Sequence, residues 1–163
     1  MIPTLGANLT TPPPVLAEEV ALGLMHAHWG LTGALDPLTS ERDLNFRVTT
    51  QQGRYVLKLA NPAEPTAVTQ FQTHALLHLE TTSLPVPRVV RTTAGSTDVQ
   101  TPHGTLRLLT YLEGQPLHLA PKSMAQRAAI GQAAAQLSLG LKGFTHPASR
   151  QDLQWDIRHA ARL

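Results

Sequence analysis

A lysine inside an apolar run constrains this chain more than any other feature. Val56-Leu57-Lys58-Leu59-Ala60 reads as a strand, and its centre is one of only three lysines in the sequence. The segment from Ser40 to Lys58 reads as a polar turn, a strand, a tight turn and a second strand. Phe46 and Val48 alternate with Asn45, Arg47 and Thr49, the period of two expected of a half-buried strand. Gln51-Gln52-Gly53 supplies the hairpin connection, with glycine at a point that can need a positive φ. A lysine facing a polar loop can hold a phosphate as a point charge, with loop N–H groups as further donors. The plainer reading is a surface lysine on the solvent face of an antiparallel strand, and pattern alone favours it.

The flanking sequence predicts one mixed α+β unit. Met1 to Pro14, rich in Thr and Pro, reads as an irregular lead-in. Val15 to His28 has Val15, Leu16, Val20, Leu24 and Met25 at helical spacing and ends at Trp29-Gly30. Leu31 to Leu38 reads as a first strand. A helix from about Pro65 to Glu80 presents Val68, Phe71, Ala75, Leu76 and Leu79 on one face. Gln72 falls within that face and would point inward to a partner such as Lys58, or lie at its edge against water or backbone. Arg88 to Thr93 and Asp98 to Thr101 read as strands, and Thr105 to Leu112 as the most apolar and most central one. Ser123-Met124-Ala125-Gln126 has the form of a capping box opening a helix to about Lys142, with Gly143 as its stop. The tail ends in a short helix-like segment at Leu163.

Composition removes several function classes. Apolar residues are 42% and charged residues 15% of 163, a globular balance sufficient for one core. The net charge is only +2 and no basic run is present, so no nucleic-acid partner is expected. The absence of cysteine excludes a disulfide scaffold and thiolate metal sites. No apolar stretch is long enough for a bilayer, and the first residues lack the features of a signal peptide, so a cytoplasmic protein without a membrane partner is the expectation.

Several blocks in order carry a family resemblance: Ser40-Glu41-Arg42-Asp43-Leu44-Asn45-Phe46, Tyr55-Val56-Leu57-Lys58-Leu59-Ala60-Asn61-Pro62, Gln72 with Ala75-Leu76-Leu77-His78-Leu79, Leu84-Pro85-Val86-Pro87, Leu108-Leu109-Thr110-Tyr111-Leu112-Glu113-Gly114, and Phe144-Thr145-His146-Pro147 with Trp155-Asp156. Together they resemble the N-terminal portion of aminoglycoside phosphotransferase-like small-molecule kinases. The resemblance is nearest the hydroxylysine kinase and homoserine kinase branch, including forms fused to class III aminotransferase-like domains.

The resemblance implies a protein-kinase-like N-lobe over residues 31–114, an antiparallel sheet with a flanking helix, then the hinge. Residues 1–30 would be an N-terminal extension, and residues 115–163 the start of a C-lobe with its first helix. ATP is the implied cofactor. Lys58 would grip its phosphates, and the Ser40–Phe46 loop would cover them with backbone N–H groups, Ser40 and Asn45. Val56 would touch adenine, and Thr110, Tyr111, Leu112 and Glu113 would meet its edge with main-chain groups. Arg42 would meet phosphate, or pair with Glu41 or Asp43 in solvent; Asp43 would orient the loop, or form an Asx turn.

Two departures follow. Gln72 stands where the family's helix glutamate pairs with the lysine, so Lys58 would lean on nucleotide phosphates for charge balance. The catalytic and Mg2+-binding aspartates of such kinases lie beyond the hinge, and the chain ends at Leu163 before such a loop. The expectation is therefore a chain inactive alone, with Mg2+ and the small-molecule substrate bound only in the complete protein. A non-catalytic interaction module is the alternative. The apolar stripe of the Ser123–Lys142 helix would either self-associate or fold back on the sheet. His74 and His78 have metal-compatible spacing but read as surface histidines.

Overall fold

The computed structural model describes residues 11–151 and 156–157. The expected lead-in up to residue 10, Trp155 and the helix-like end at Leu163 lie outside the described residues. In chain order the elements are α1 (Glu18–Trp29), β1 (Ala34–Leu38), β2 (Leu44–Thr50), β3 (Gly53–Leu59), α2 (Thr66–Leu79), β4 (Val89–Val90), β5 (Val99–Thr101), β6 (Gly104–Thr110) and α3 (Met124–Gly140).

The strands form one six-stranded antiparallel sheet in the order β1-β2-β3-β6-β4, with β5 also pairing β6. The hairpin between β2 and β3 turns at Gln51-Gln52. The Thr50 hydroxyl donates to the Gly53 carbonyl and accepts from the Gln52 and Gly53 amides, and Gly53 takes φ 142°. Glycine is required there because a side chain is strained at that φ.

Register decides which residues share a face. Phe46, Leu57 and Leu108 stand in one row and Leu44, Leu59 and Leu106 in another, all on the same face. Ala21, Met25 and Trp29 of α1 cover that face and join the main core with these leucines. Leu57, Leu106 and Leu108 are essentially fully buried, and each contributes about 2 kcal/mol. The buried stripe of α1 is therefore Ala21, Met25 and Trp29, while Val15 and Val20 of the expected stripe are exposed. The Trp29 indole donates to the Val90 carbonyl at 2.9 Å, tying the end of α1 to β4.

Strand β4 is shorter than the expected Arg88–Thr93 because its backbone is diverted. The Thr92 amide bonds to the Ser96 carbonyl at 2.8 Å, and the Thr93 amide to the His28 carbonyl at 2.9 Å. Helix α2 also departs from the periodicity. Its buried positions are Thr69, Thr73 and Leu79, and Gln72 is exposed. The sheet surface beneath it carries an arginine, so oxygen-bearing threonines face inward where the apolar pattern suggested Phe71 and Ala75.

Ser123 caps α3 by accepting from the Gln126 amide at 3.0 Å, as the capping box predicts. The helix does not fold back on the sheet: none of its residues is buried, and Ile130, Leu137 and Leu139 are exposed. Its C-terminal end comes close to α2. A Cβ on Gly140 would lie 2.9 Å from Leu84 Cδ1 and 3.0 Å from Leu79 Cδ2.

Candidate functional site

The face opposite the α1 core carries the polar groups. Asn45, Lys58 and Arg107 are direct neighbours across β2, β3 and β6, and Arg47, Val56 and Leu109 form the next row. Three polar side chains in one row cannot all be covered by an apolar helix. The loop between β1 and β2 and the helix α2 each take part of that row.

Lys58 belongs to the loop. Its Nζ donates to Asp43 Oδ2 and, at 3.4 Å, to Asn45 Oδ1. The Lys58 and Asp43 side chains each keep 23% exposure, so the pair is reachable from solvent. Asp43 Oδ1 accepts the Asn61 amide at 3.0 Å. Burial pushes the Asp43 carboxyl toward its neutral form. The Lys58 and Asn61 hydrogen bonds and the charges of Lys58 and Arg107 outweigh this and hold it below the usual aspartate value.

Asn61 pins the same loop from beneath. Its buried side chain donates to the carbonyls of Arg42 at 2.9 Å and Pro12 at 3.0 Å, and its Oδ1 accepts the Ala63 amide at 2.9 Å. In the sequence Asn61-Pro62 marks the strand end; in the structure the asparagine also positions the loop. Ser40 stands in this loop. Arg42 pairs with Glu64 at 3.2 Å, not with Glu41 or Asp43.

Arg107 belongs to the helix. It is 2% exposed, and it donates to Thr69 O at 3.2 Å, Thr73 Oγ1 at 3.2 Å and Gln72 Oε1 at 2.8 Å. Desolvation lowers its pKa, and the charges of Asp43 and Asp98 oppose that shift. These bonds correct the expected link between Gln72 and Lys58. Gln72 serves the arginine one strand further on, and the charge balance of Lys58 comes from Asp43. Arg107 was legible by the criterion that singled out Lys58, a cation inside an apolar run, Leu106-Arg107-Leu108.

The remaining candidates divide. Val56 shares the Lys58 face and is half-buried. Phe46 does not: its side chain lies in the α1 core at 7% exposure, because it is one residue out of phase with Asn45. Thr110 ends β6, with its amide bonded to the Arg88 carbonyl at 2.9 Å and its Oγ1 accepting the Arg88 amide at 2.8 Å. The Tyr111 amide bonds to the Arg54 carbonyl at 3.0 Å. Arg54 also pairs with Glu113 at 2.7 Å and lies over the Tyr111 ring, so it braces the segment after β6 from β3. Leu112 is exposed. On the outer side of α2, the His74 and His146 rings are 5.2 Å apart, and Phe71 stacks on Phe144 at 5.9 Å. His78 also contacts Phe144.

An antiparallel sheet with a strand lysine under a polar loop, a helix over that face and a central strand running out into a linker is the N-lobe architecture of protein-kinase-like phosphotransferases. The family model described as "Phosphotransferase enzyme family" (APH) matches residues 35–163, and the chain belongs to that family. Among curated proteins it is 30% identical to hydroxylysine kinase of Mus musculus, over 92% of this chain and 46% of that protein. It is 31% identical to hydroxylysine kinase of Danio rerio, over 84% and 42%. The chain thus spans less than half the length of these relatives. Two solved structures share the fold. Amicoumacin kinase in complex with AMP-PNP and Ca2+ has TM-score 0.65 at 14% identity, covering 81% of this chain and 42% of that one. A microcompartment-associated aminopropanol kinase has TM-score 0.62 at 17% identity, covering 83% and 44%.

Proposed function

We propose that this chain is the nucleotide-binding portion of a phosphotransferase that moves the γ-phosphoryl group of ATP to a hydroxyl of a small amino alcohol or hydroxy amino acid. The observation that carries the reading is Lys58, held on β3 beneath the Ser40–Asp43 loop and partly open to solvent. Lys58 would meet the nucleotide phosphates, with Ser40, Arg42, Asn45 and loop amides as further donors. Val56 would lie against adenine. The Thr110 and Tyr111 amides are already bonded within the sheet, so the main chain of Leu112 and Glu113 is left for the adenine edge. In this reading residues 31–114 are the N-lobe and hinge, and residues 115–163 begin the C-lobe.

Among the described residues no three or more histidine, aspartate or glutamate side chains cluster to hold a metal ion. No Mg2+ site is assigned to them, and phosphoryl transfer is ascribed to the complete protein, where the remaining length would supply the metal ligands, catalytic base and acceptor pocket. Among the described residues no helix is long and apolar enough to cross a membrane; a cytoplasmic location belongs to the same reading.

A second reading, a non-catalytic interaction or regulatory module, has one observation in its favour. Lys58 is already neutralised by Asp43, and Gln72 gives it no support. Calorimetric titration with ATP and Mg-ATP, beside Lys58→Ala, separates the two. Saturable binding lost in Lys58→Ala supports the nucleotide site. No binding by a chain whose circular dichroism shows it folded supports the module.

A further inference from the structure

Helix α2 contains no aspartate or glutamate, so it has no carboxylate to offer Lys58. It is fastened to the sheet through Arg107 instead, by bonds to Thr69, Gln72 and Thr73 that do not involve Lys58. The carboxylate bonded to the lysine is Asp43, which belongs to the loop expected to cover a nucleotide. Resting on the nucleotide reading above, we propose that Asp43 is a built-in competitor for the phosphates, occupying Lys58 until a nucleotide phosphate displaces it.

Three features support the exchange. A phosphate oxygen on Lys58 would come to lie against the Asp43 carboxylate, and two anions at that distance repel. The pair is 23% exposed on each side, so an incoming anion can reach it without unfolding the sheet. Asp43 is also anchored independently of the lysine, through its second oxygen on the Asn61 amide. A carboxylate released from Lys58 therefore keeps its bond to the Asn61 backbone N–H, within the electrostatic influence of Arg107 on the adjacent strand. Because Arg107, not Lys58, ties down α2, the lysine changes partners without loosening the helix. Nucleotide affinity is then set by the loop charge.

The test is the affinity of the wild-type chain and of Asp43→Asn for ATP, ADP and adenosine, measured by calorimetry. The asparagine keeps an acceptor for the Asn61 backbone N–H, and removes the charge together with the second oxygen that accepts from Lys58. ATP and ADP should bind Asp43→Asn about fivefold more tightly, the scale of losing one partly exposed competing ion pair. Adenosine, which has no phosphate to meet Lys58, should show no gain. If Asp43→Asn fails to fold by circular dichroism, Asp43→Ser serves the same purpose with a smaller acceptor. Wild-type binding of ATP with equal or weaker binding by the variant overturns the competitor role and leaves the nucleotide site standing. Failure of both proteins to bind ATP or adenosine overturns the nucleotide reading and this inference with it.

Discussion

Lys58 and Arg107 face each other directly across β3 and β6, yet they hold different parts of the protein. Lys58 bonds to Asp43 and Asn45 on the loop side; Arg107 bonds to Thr69, Gln72 and Thr73 of α2. The division follows from chemistry. A compact ammonium suits a single carboxylate near solvent, whereas a planar guanidinium spreads over several oxygens in a buried site. The helix and the loop are therefore contacted by separate cations.

Arg107→Lys should destabilise the fold by about 2 kcal/mol, because one ammonium cannot span three acceptors on two nitrogens and the threonine and glutamine oxygens lose their donor. Urea unfolding measures this directly. A change below about 0.5 kcal/mol, the scale of ordinary surface substitutions, would show that the guanidinium does not fasten α2.

Asn61→Ala should cost about 2 to 3 kcal/mol, since it strips the Arg42 and Pro12 carbonyls and the Ala63 amide of a buried partner. The Ser40–Asp43 loop should loosen as well, seen as faster amide exchange there than in β6. Unchanged exchange in that loop would argue against its being pinned from beneath.

Gly104→Ala is expected to be among the most disruptive single changes. The residue has φ 129°, and a Cβ would sit 2.6 Å from the Ala60 carbonyl oxygen. Strain and collision together should remove about 2 kcal/mol or more. Thermal unfolding indistinguishable from wild type would refute the close approach.

The Asp43 carboxyl titrates below its ordinary value in the folded chain. A depressed carboxylate contributes stability that is fully present at neutral pH and is lost as pH falls through the folded value, below about pH 4. The melting-temperature gap between wild type and Asp43→Asn should be widest near pH 7 and should shrink as pH falls below the ordinary aspartate value. A gap independent of pH would mean the ion pair adds nothing to stability.

The exposed Ile130, Leu137 and Leu139 of α3 should make the purified 163-residue chain self-associate. Light scattering should report a concentration-dependent mass above that of the monomer, reduced by Leu137→Glu. A monodisperse monomer at all concentrations would count against it.

The sequence by itself determined the hairpin, the central β6, the three long helices and the place of Lys58. Each is written in local periods and caps: Phe46 and Val48 alternate, Ser123 precedes Gln126, and a cation interrupts a strand. Only the tertiary structure decided the partners. Gln72 meets Arg107 because antiparallel register puts Lys58 and Arg107 on the same face while α2 lies over the latter, a matter of pairing between strands nearly fifty residues apart. Phe46 faces the α1 core and not the site because neighbouring residues of a strand point to opposite faces. Asn61 and Asp43 meet because the chain doubles back between β2 and β3, and no local period records such a contact. Spacing along the chain encodes which residues share an element; hydrogen-bond partners depend on how the elements are stacked.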